Sequence, residues 1–312
     1  MKHITLIAEE NYSPKAIALY KKLGGVYFNK KYLRAADILV VRLALNVTKK
    51  IIDSAPNLKV IATSTTGLNH IDVEYAKKKG IRVISLRGRT GFLKNIPSTA
   101  EETMALILAL SRRLPWAFDY VKKGGWDSTA WSGHQLHGKT FGLLGFGRLG
   151  KIVARYARAF GMKIIACDPY VSKKIMERGG AKKVDIATLF KESDILSLHV
   201  LLTADVYNLV KEKHLKIMKP SAYLINTARA ELVEKDALLK ALKNKWIAGA
   251  AVDVLWDERP DGGHLKKDPL WRYAKTHENL IILPHIGGAT VEAMHTTQDF
   301  IAELVLKHFK NA

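Results

Sequence analysis

Gly145-Phe146-Gly147-Arg148-Leu149-Gly150 sets three glycines at the spacing G-x-G-x-x-G, directly after the apolar run Phe141-Gly142-Leu143-Leu144 and directly before the helical stretch Lys151 to Phe160. In that context the residue types have a chemistry. The first glycine permits a tight turn, the second lets backbone approach a pyrophosphate, and the third lets a helix pack on its strand with the anion at the helix N-terminus. Phe146, Arg148 and Leu149 complete the turn and are candidate cofactor contacts with it. Asp168 ends the next apolar run, 21 residues after Gly147, where a carboxylate accepts hydrogen bonds from an adenosine ribose. NADP carries a further phosphate there, and two like unit charges ~4 Å apart repel by about 4 kcal/mol at an effective dielectric of ~20. The expected dinucleotide is therefore NAD, with NADP a lesser alternative because Lys173 and Lys174 lie close in sequence.

Other polar residues end apolar runs in the same way: His199, Asn226-Thr227-Ala228-Arg229, Asp253 with Glu258 just beyond, and Pro284-His285. Ligands of open parallel sheets bind beyond the carboxyl ends of the strands, so these residues are expected to converge on one crevice. Hydride transfer to a 2-oxo acid needs a cation to grip the carboxylate, an acid to protonate the carbonyl oxygen, and a carboxylate to keep that acid protonated. Arg229, His285 and Glu258 supply one of each. His199, Thr227, Ala228 and Thr99 are further candidates for cofactor contact. His134 and His137, with no cysteine or carboxylate at ligand spacing, give no metal site.

The elements that must position these residues can be read from periodicity. Residues 1 to about 97 alternate short apolar runs (Ile4-Ala8, Ile38-Val41, Leu58-Ser64, Ile81-Leu86) with amphipathic stretches (Pro14-Leu23, Thr48-Ser54, Val73-Lys79). A capping-type sequence, Ser98 to Thr103, then opens an apolar helix running to Arg113. A second alternating series gives strands at Thr140-Leu144, Lys163-Cys167, Asp194-Val200, Ala222-Asn226, Ala248-Val254 and Leu280-Leu283. The region Trp256 to His277 reads as an irregular loop, and Thr290 to Lys310 as a final helix. Strands separated by helices imply parallel pairing, and the fold class expected is α/β.

Composition bounds the function. At 312 residues the chain is long enough for two domains. No apolar run reaches the ~20 residues of a membrane span, and Met1-Lys2-His3-Ile4 leads into a strand and not a signal peptide, so no membrane partner and a cytoplasmic location are expected. Cys167 is the single cysteine, which excludes an internal disulfide and fits a reducing compartment. The net charge of +21 raises nucleic acid as a partner, but the basic residues are scattered in twos and threes without interleaved aromatics, which argues against it.

Five blocks carry a family resemblance: residues 139–153 (KTFGLLGFGRLGKIV), 194–203 (DILSLHVLLT), 219–238 (KPSAYLINTARAELVEKDAL), 248–260 (AGAAVDVLWDERP) and 284–290 (PHIGGAT). In order and spacing they resemble the signature blocks of the D-isomer-specific 2-hydroxyacid dehydrogenases. The resemblance implies two doubly wound parallel-sheet domains: a flavodoxin-like substrate domain from residues 1–97 and 288–312, and a Rossmann-type NAD domain from 98–287. It implies that Arg229 orients and polarises the substrate, that His285 is the acid/base, that Glu258 pairs with His285 and raises its pKa, and that Asp253 contacts the nicotinamide carboxamide. Thr65 to Asp72 resembles the family's substrate loop, implying that the amides of Thr66 and Gly67 bind the carboxylate. Arg42 resembles a phosphate-contacting arginine of phosphoglycerate dehydrogenases, and the helical region 99–130 resembles the family's dimerisation segment, implying a homodimer. The expected activity is NAD-dependent interconversion of a small 2-oxo acid and its D-2-hydroxy acid, of the glyoxylate/hydroxypyruvate, pyruvate or 3-phosphoglycerate class. An NAD(H)-sensing, corepressor-like regulator of the same fold is the alternative. Leu201 stands where the family usually has proline, and Ala230 where it has glycine; neither removes a reacting group. With no further domain expected after Ala312, serine control of the kind some phosphoglycerate dehydrogenases show is not expected.

Overall fold

The computed structural model describes residues 2–9, 11–43, 45–259 and 261–311. Met1 and Ala312, at the limits of the expected substrate domain, and Pro260, which ends one signature block, lie outside the described residues. The chain divides into two compact units, one of Met1–Ile96, Arg259–Asp261 and Ala289–Ala312, the other of Pro97–Glu258 and Gly262–Gly288.

The first unit holds a five-stranded parallel sheet of β1 (His3–Ile7), β2 (Gly24–Tyr27), β3 (Ile38–Val41), β4 (Val60–Thr63) and β5 (Arg82–Ile84), in the order β2-β1-β3-β4-β5. All four residues of β3 and of β4 are buried. Such runs show no polar alternation because both faces of a parallel sheet are covered. Ile38 and Val40 join one apolar cluster while Leu39 and Val41 join another, as the period of two requires. The last helix, Val291–Lys310, buries Ile301, Ala302 and Val305 in the cluster that holds Ile38 and Val40.

The second unit holds a seven-stranded parallel sheet: β6 (Thr140–Leu144), β7 (Lys163–Cys167), β8 (Lys182–Lys183), β9 (Ile195–Leu198), β10 (Tyr223–Asn226), β11 (Gly249–Val252) and β12 (Leu280–Ile282). Their order is β12-β11-β10-β9-β6-β7-β8, so the chain reverses its direction of progress across the sheet between β6 and β9. A crevice opens at such a switch point, beyond the carboxyl ends of its two strands.

Several expectations need correction. β2 was not expected, because Gly24-Gly25 opens it and glycine has little strand propensity; β8 is two lysines long. The stretch Trp256 to His277 is not all loop: Asp268 caps a helix, Pro269–Ala274, by accepting from the amides of Leu270 and Trp271. Ser98 is not a cap but the first helical residue of Ser98–Ser111, since the Pro97 carbonyl already accepts from Ala100 and Glu101. That helix stops at Ser111, and a second one, Leu114–Lys122, follows after Arg113 adopts a left-handed backbone. Among the described residues no helix is long and apolar enough to cross a membrane, and no three His, Cys, Asp or Glu residues gather as a metal site.

Candidate active site

The glycine turn sits at the end of β6, on the switch point. Gly145 has φ 95°, and a Cβ there would lie 2.6 Å from the His199 carbonyl oxygen. A Cβ on Gly150 would lie 2.4 Å from the Gly145 carbonyl oxygen. These two glycines close the turn on itself and on the neighbouring strand end. Gly147 differs: a Cβ there would meet nothing within 4 Å, so the space above the N-cap of the Arg148–Ala159 helix is open. Asp168 accepts the Phe146 amide at 2.9 Å through Oδ2 and the Tyr170 amide at 2.9 Å through Oδ1, which ties the end of β7 to the turn. An open second glycine at a helix N-terminus, with a carboxylate held beside it, fits a dinucleotide. Phe146 offers that ligand little, since its ring is fully buried and its amide is taken by Asp168. Burial lowers the pKa of the Arg148 guanidinium, and Leu149 packs against the apolar cluster beneath the turn. The His199 ring is pushed down to about 4 by burial and meets Ser197 Oγ at 2.9 Å, so at neutral pH it is uncharged.

The three expected reacting groups come from three neighbouring strand ends. Asn226, at the end of β10, holds the turn that follows it: its Nδ2 donates to the Arg229 carbonyl at 2.9 Å and its Oδ1 accepts the Ala228 amide at 3.0 Å. The Arg229 guanidinium donates to the Ala228 carbonyl at 2.6 Å. Burial lowers the pKa of that guanidinium, against the charges of Glu258, Glu231 and Asp253. Glu258, beyond β11, accepts the Leu255 amide at 2.8 Å with Oε1 and faces His285 Nδ1 at 2.6 Å with Oε2. Burial raises the Glu258 carboxyl, but the bond and charge of His285, the Leu255 amide and Arg229 outweigh it and hold the group below its ordinary value. An ionised Glu258 accepts a hydrogen bond from the His285 Nδ1–H, leaving Nε2 as the ring nitrogen free for other chemistry. His285 has φ 58°, a conformation uncommon for a side-chain-bearing residue and found chiefly where function or packing demands it.

Asp253, at the end of β11, is 1% exposed and accepts the amides of Ile286 at 2.7 Å and Gly287 at 2.8 Å, so it anchors the turn just after His285. Beside it stands Glu102, which sequence reasoning did not single out: a Cβ placed on Gly287 would lie 2.5 Å from Glu102 Oε2 and 3.2 Å from Asp253 Oδ2. Burial, then the charge of Asp253, pushes the Glu102 carboxyl up to about 8. Thr99 donates through its hydroxyl to the Gly287 carbonyl at 3.0 Å, and Thr103 meets Thr227 hydroxyl to hydroxyl at 2.9 Å.

The remaining candidates belong to the first unit. The loop after β4 is held by hydroxyls, Thr63 to Thr65 at 2.9 Å and Thr65 to the Gly67 carbonyl at 2.8 Å. Among the described residues no acceptor takes the amide hydrogen of Thr66 or Gly67. Arg42, just past β3, acts on Glu9, a carboxyl that burial pushes up to about 7 and that the arginine's charge draws back down.

Two α/β units, with a glycine turn at the switch point of one sheet and an Arg, Glu and His following three further strands of that sheet, fit a class of nicotinamide-dependent oxidoreductases. The chain belongs to the D-isomer-specific 2-hydroxyacid dehydrogenase family: the model of that family's NAD-binding domain matches residues 104–287. The chain is an NAD-dependent dehydrogenase that interconverts 2-oxo and 2-hydroxy acids. It is 40% identical over 291 residues to a glyoxylate reductase of Thermococcus litoralis, covering 91% of this chain and 82% of that one. It is 39% identical over 280 residues to a hydroxypyruvate reductase of Thermotoga maritima, covering 90% and 86%. Against a D-3-phosphoglycerate dehydrogenase of Methanocaldococcus jannaschii the identity is 39%, but the match spans only 50% of that longer protein. Among solved structures, D-lactate dehydrogenase from Aquifex aeolicus, complexed with NAD and lactic acid, superposes with a TM-score of 0.82 at 30% identity, covering 99% of this chain and 96% of that one.

Proposed function

We propose that the enzyme reduces a short 2-oxo acid of the glyoxylate or hydroxypyruvate type to its D-2-hydroxy acid, with Arg229, His285 and Glu258 as its catalytic residues. The observation that carries the reading is the 2.6 Å contact of His285 Nδ1 with Glu258 Oε2, formed where the Arg229 charge also falls on Glu258. The Thermococcus litoralis and Thermotoga maritima reductases, 40% and 39% identical along most of both chains, act on short acids by name, and they support this substrate class.

Arg229 grips the substrate carboxylate and draws electron density from the adjacent carbonyl. Glu258 holds the His285 ring by Nδ1 and stabilises its protonated form, and His285 Nε2 gives its proton to the carbonyl oxygen as that oxygen becomes negative. Bound NADH supplies the hydride. In the reverse direction His285 removes the hydroxyl proton. The unengaged amides of Thr66 and Gly67 are the proposed further carboxylate donors, and Arg42 the proposed contact for a phosphorylated substrate, in competition with its place beside Glu9. Gly145 to Gly150, Asp168, His199, Thr99, Thr227, Ala228 and Asp253 are the proposed cofactor surroundings.

A panel of 2-oxo acids with NADH, followed at the nicotinamide absorbance, tests the reading. Glyoxylate or hydroxypyruvate is expected to give the highest kcat/KM, and Arg229→Gln to lose roughly 10²- to 10⁴-fold with KM raised. Oxidation of NADH by none of the acids, or an unchanged Arg229→Gln, would overturn it. We also propose a cytoplasmic homodimer, supported by the single cysteine and by Leu114, Phe118 and Val121, exposed along one helix at 51%, 65% and 48%.

A further inference from the structure

Thr99, Glu102 and Thr103 stand at i, i+3 and i+4 of the Ser98–Ser111 helix and so share one face. Each meets a different segment that carries an expected reacting group. Thr99 holds the Gly287 carbonyl, two residues after His285; Thr103 meets Thr227, two residues before Arg229; and Glu102 faces Asp253. Both carboxyl oxygens of Glu102 are cut off from solvent, and neither has a donor among the described residues. Asp253 has two donors, the amides of Ile286 and Gly287, and it also feels the charge of His285. Two carboxyls facing each other in one buried place hold one proton between them more readily than two charges. Burial raises the Asp253 carboxyl as well, but its two amides and the charge of His285 draw it back down while Glu102 has no such donors, so the proton resides on Glu102 and can be donated to Asp253. The charged groups around the pair are His285 and Arg229, both acting on Asp253, and Glu101, which is exposed on the Glu102 helix.

We propose that Glu102 is a positioning residue for this reaction, carrying the proton of a Glu102–Asp253 carboxyl pair that fixes the Ile286–Gly287 turn behind His285. The inference rests on His285 as the acid/base. Loss of that proton sets two negative charges against each other, and because both Asp253 oxygens hold the Ile286 and Gly287 amides, their repulsion bears on that turn. The burial of Glu102 and its pKa of about 8 place this loss within the range of an ordinary assay.

Three variants and two readouts test it. Glu102→Gln keeps a neutral donor at every pH; it is expected to retain kcat/KM near pH 7 while its alkaline decline starts later and is less steep, leaving only the remaining titrations of the site. Glu102→Leu removes the donor and is expected to lose about tenfold in kcat with KM for the 2-oxo acid little changed. Glu102→Asp, too short to meet Asp253, is expected to resemble Glu102→Leu. The second readout is the melting temperature of the cofactor-free protein against pH. An unfolded glutamate ionises near 4.5 while the folded one holds its proton to about 8, so folded wild type loses stability as pH rises between those values. The margin of Glu102→Gln over wild type should widen across the same interval. An alkaline decline identical in wild type and Glu102→Gln, with parallel melting curves, would overturn the proposal, as would full activity in Glu102→Leu. If wild type reduced no 2-oxo acid, the reading of the site would fail instead, and the melting curves would still decide whether Glu102 holds the proton.

Discussion

Glu258 spends one oxygen on the Leu255 amide and the other on His285, so the carboxylate is held on both sides before any substrate arrives. In the proposed mechanism a carboxylate oriented in this way works through the imidazole and takes no proton itself. Glu258→Gln is expected to lower kcat/KM by about 10²- to 10⁴-fold, by analogy with loss of the carboxylate in other acid/base pairs. Its pKa adds a second signature. The folded carboxyl lies below its ordinary 4.5, so its favourable contribution is present above that value and is lost as pH falls through the lower, folded one. The stability advantage of wild type over Glu258→Gln should therefore shrink between pH 6 and pH 3, as followed by thermal melts; a constant gap would show the carboxylate to be unpartnered in solution.

The glycine turn separates two kinds of substitution. Gly145→Ala forces a side chain into a left-handed backbone and against the His199 carbonyl, and should cost ~2–3 kcal/mol of stability. Gly147→Ala enters open space and should leave the melting temperature nearly unchanged while weakening NADH binding at least tenfold, measured by nicotinamide fluorescence. Equal NADH affinity in Gly147→Ala would show that the ligand does not approach the second glycine. This element was legible in the sequence because strand, turn and helix follow one another without interruption. The proposed reacting groups could be picked out because each follows an apolar strand, as Arg229 follows Tyr223–Asn226. β2 was not, since its glycines carry no apolar signal, nor was the Pro269–Ala274 helix, hidden among charged and small residues. Glu102 was missed because Glu101-Glu102 near a helix start reads as capping charge on a solvent face. The only sign was Thr99 and Thr103 flanking it at helical spacing, and that pattern acquires meaning only once Thr227, Asp253 and Gly287 are seen opposite.

For the whole molecule, Leu114, Phe118 and Val121 recur at i, i+4 and i+7, an exposed apolar stripe on a helix whose Trp116 packs against the apolar cluster beneath it. Phe118→Glu is expected to convert the proposed dimer into a monomer in light scattering; a monomeric wild type would remove the basis for the expectation. The path of the chain has a further consequence. The first unit's sheet is finished by residue 84, yet Ile301, Ala302 and Val305 of the Val291–Lys310 helix complete the cluster that covers Ile38, Val40 and Val60. A ribosome adding ~5–20 residues per second must make the whole second unit before that covering helix emerges. During those seconds only the Pro14–Lys21 helix, through Ala16 and Tyr20, shields that sheet face, so the first 96 residues are expected to be the stretch of this enzyme that leans most on chaperones at birth, although they are the first to be made.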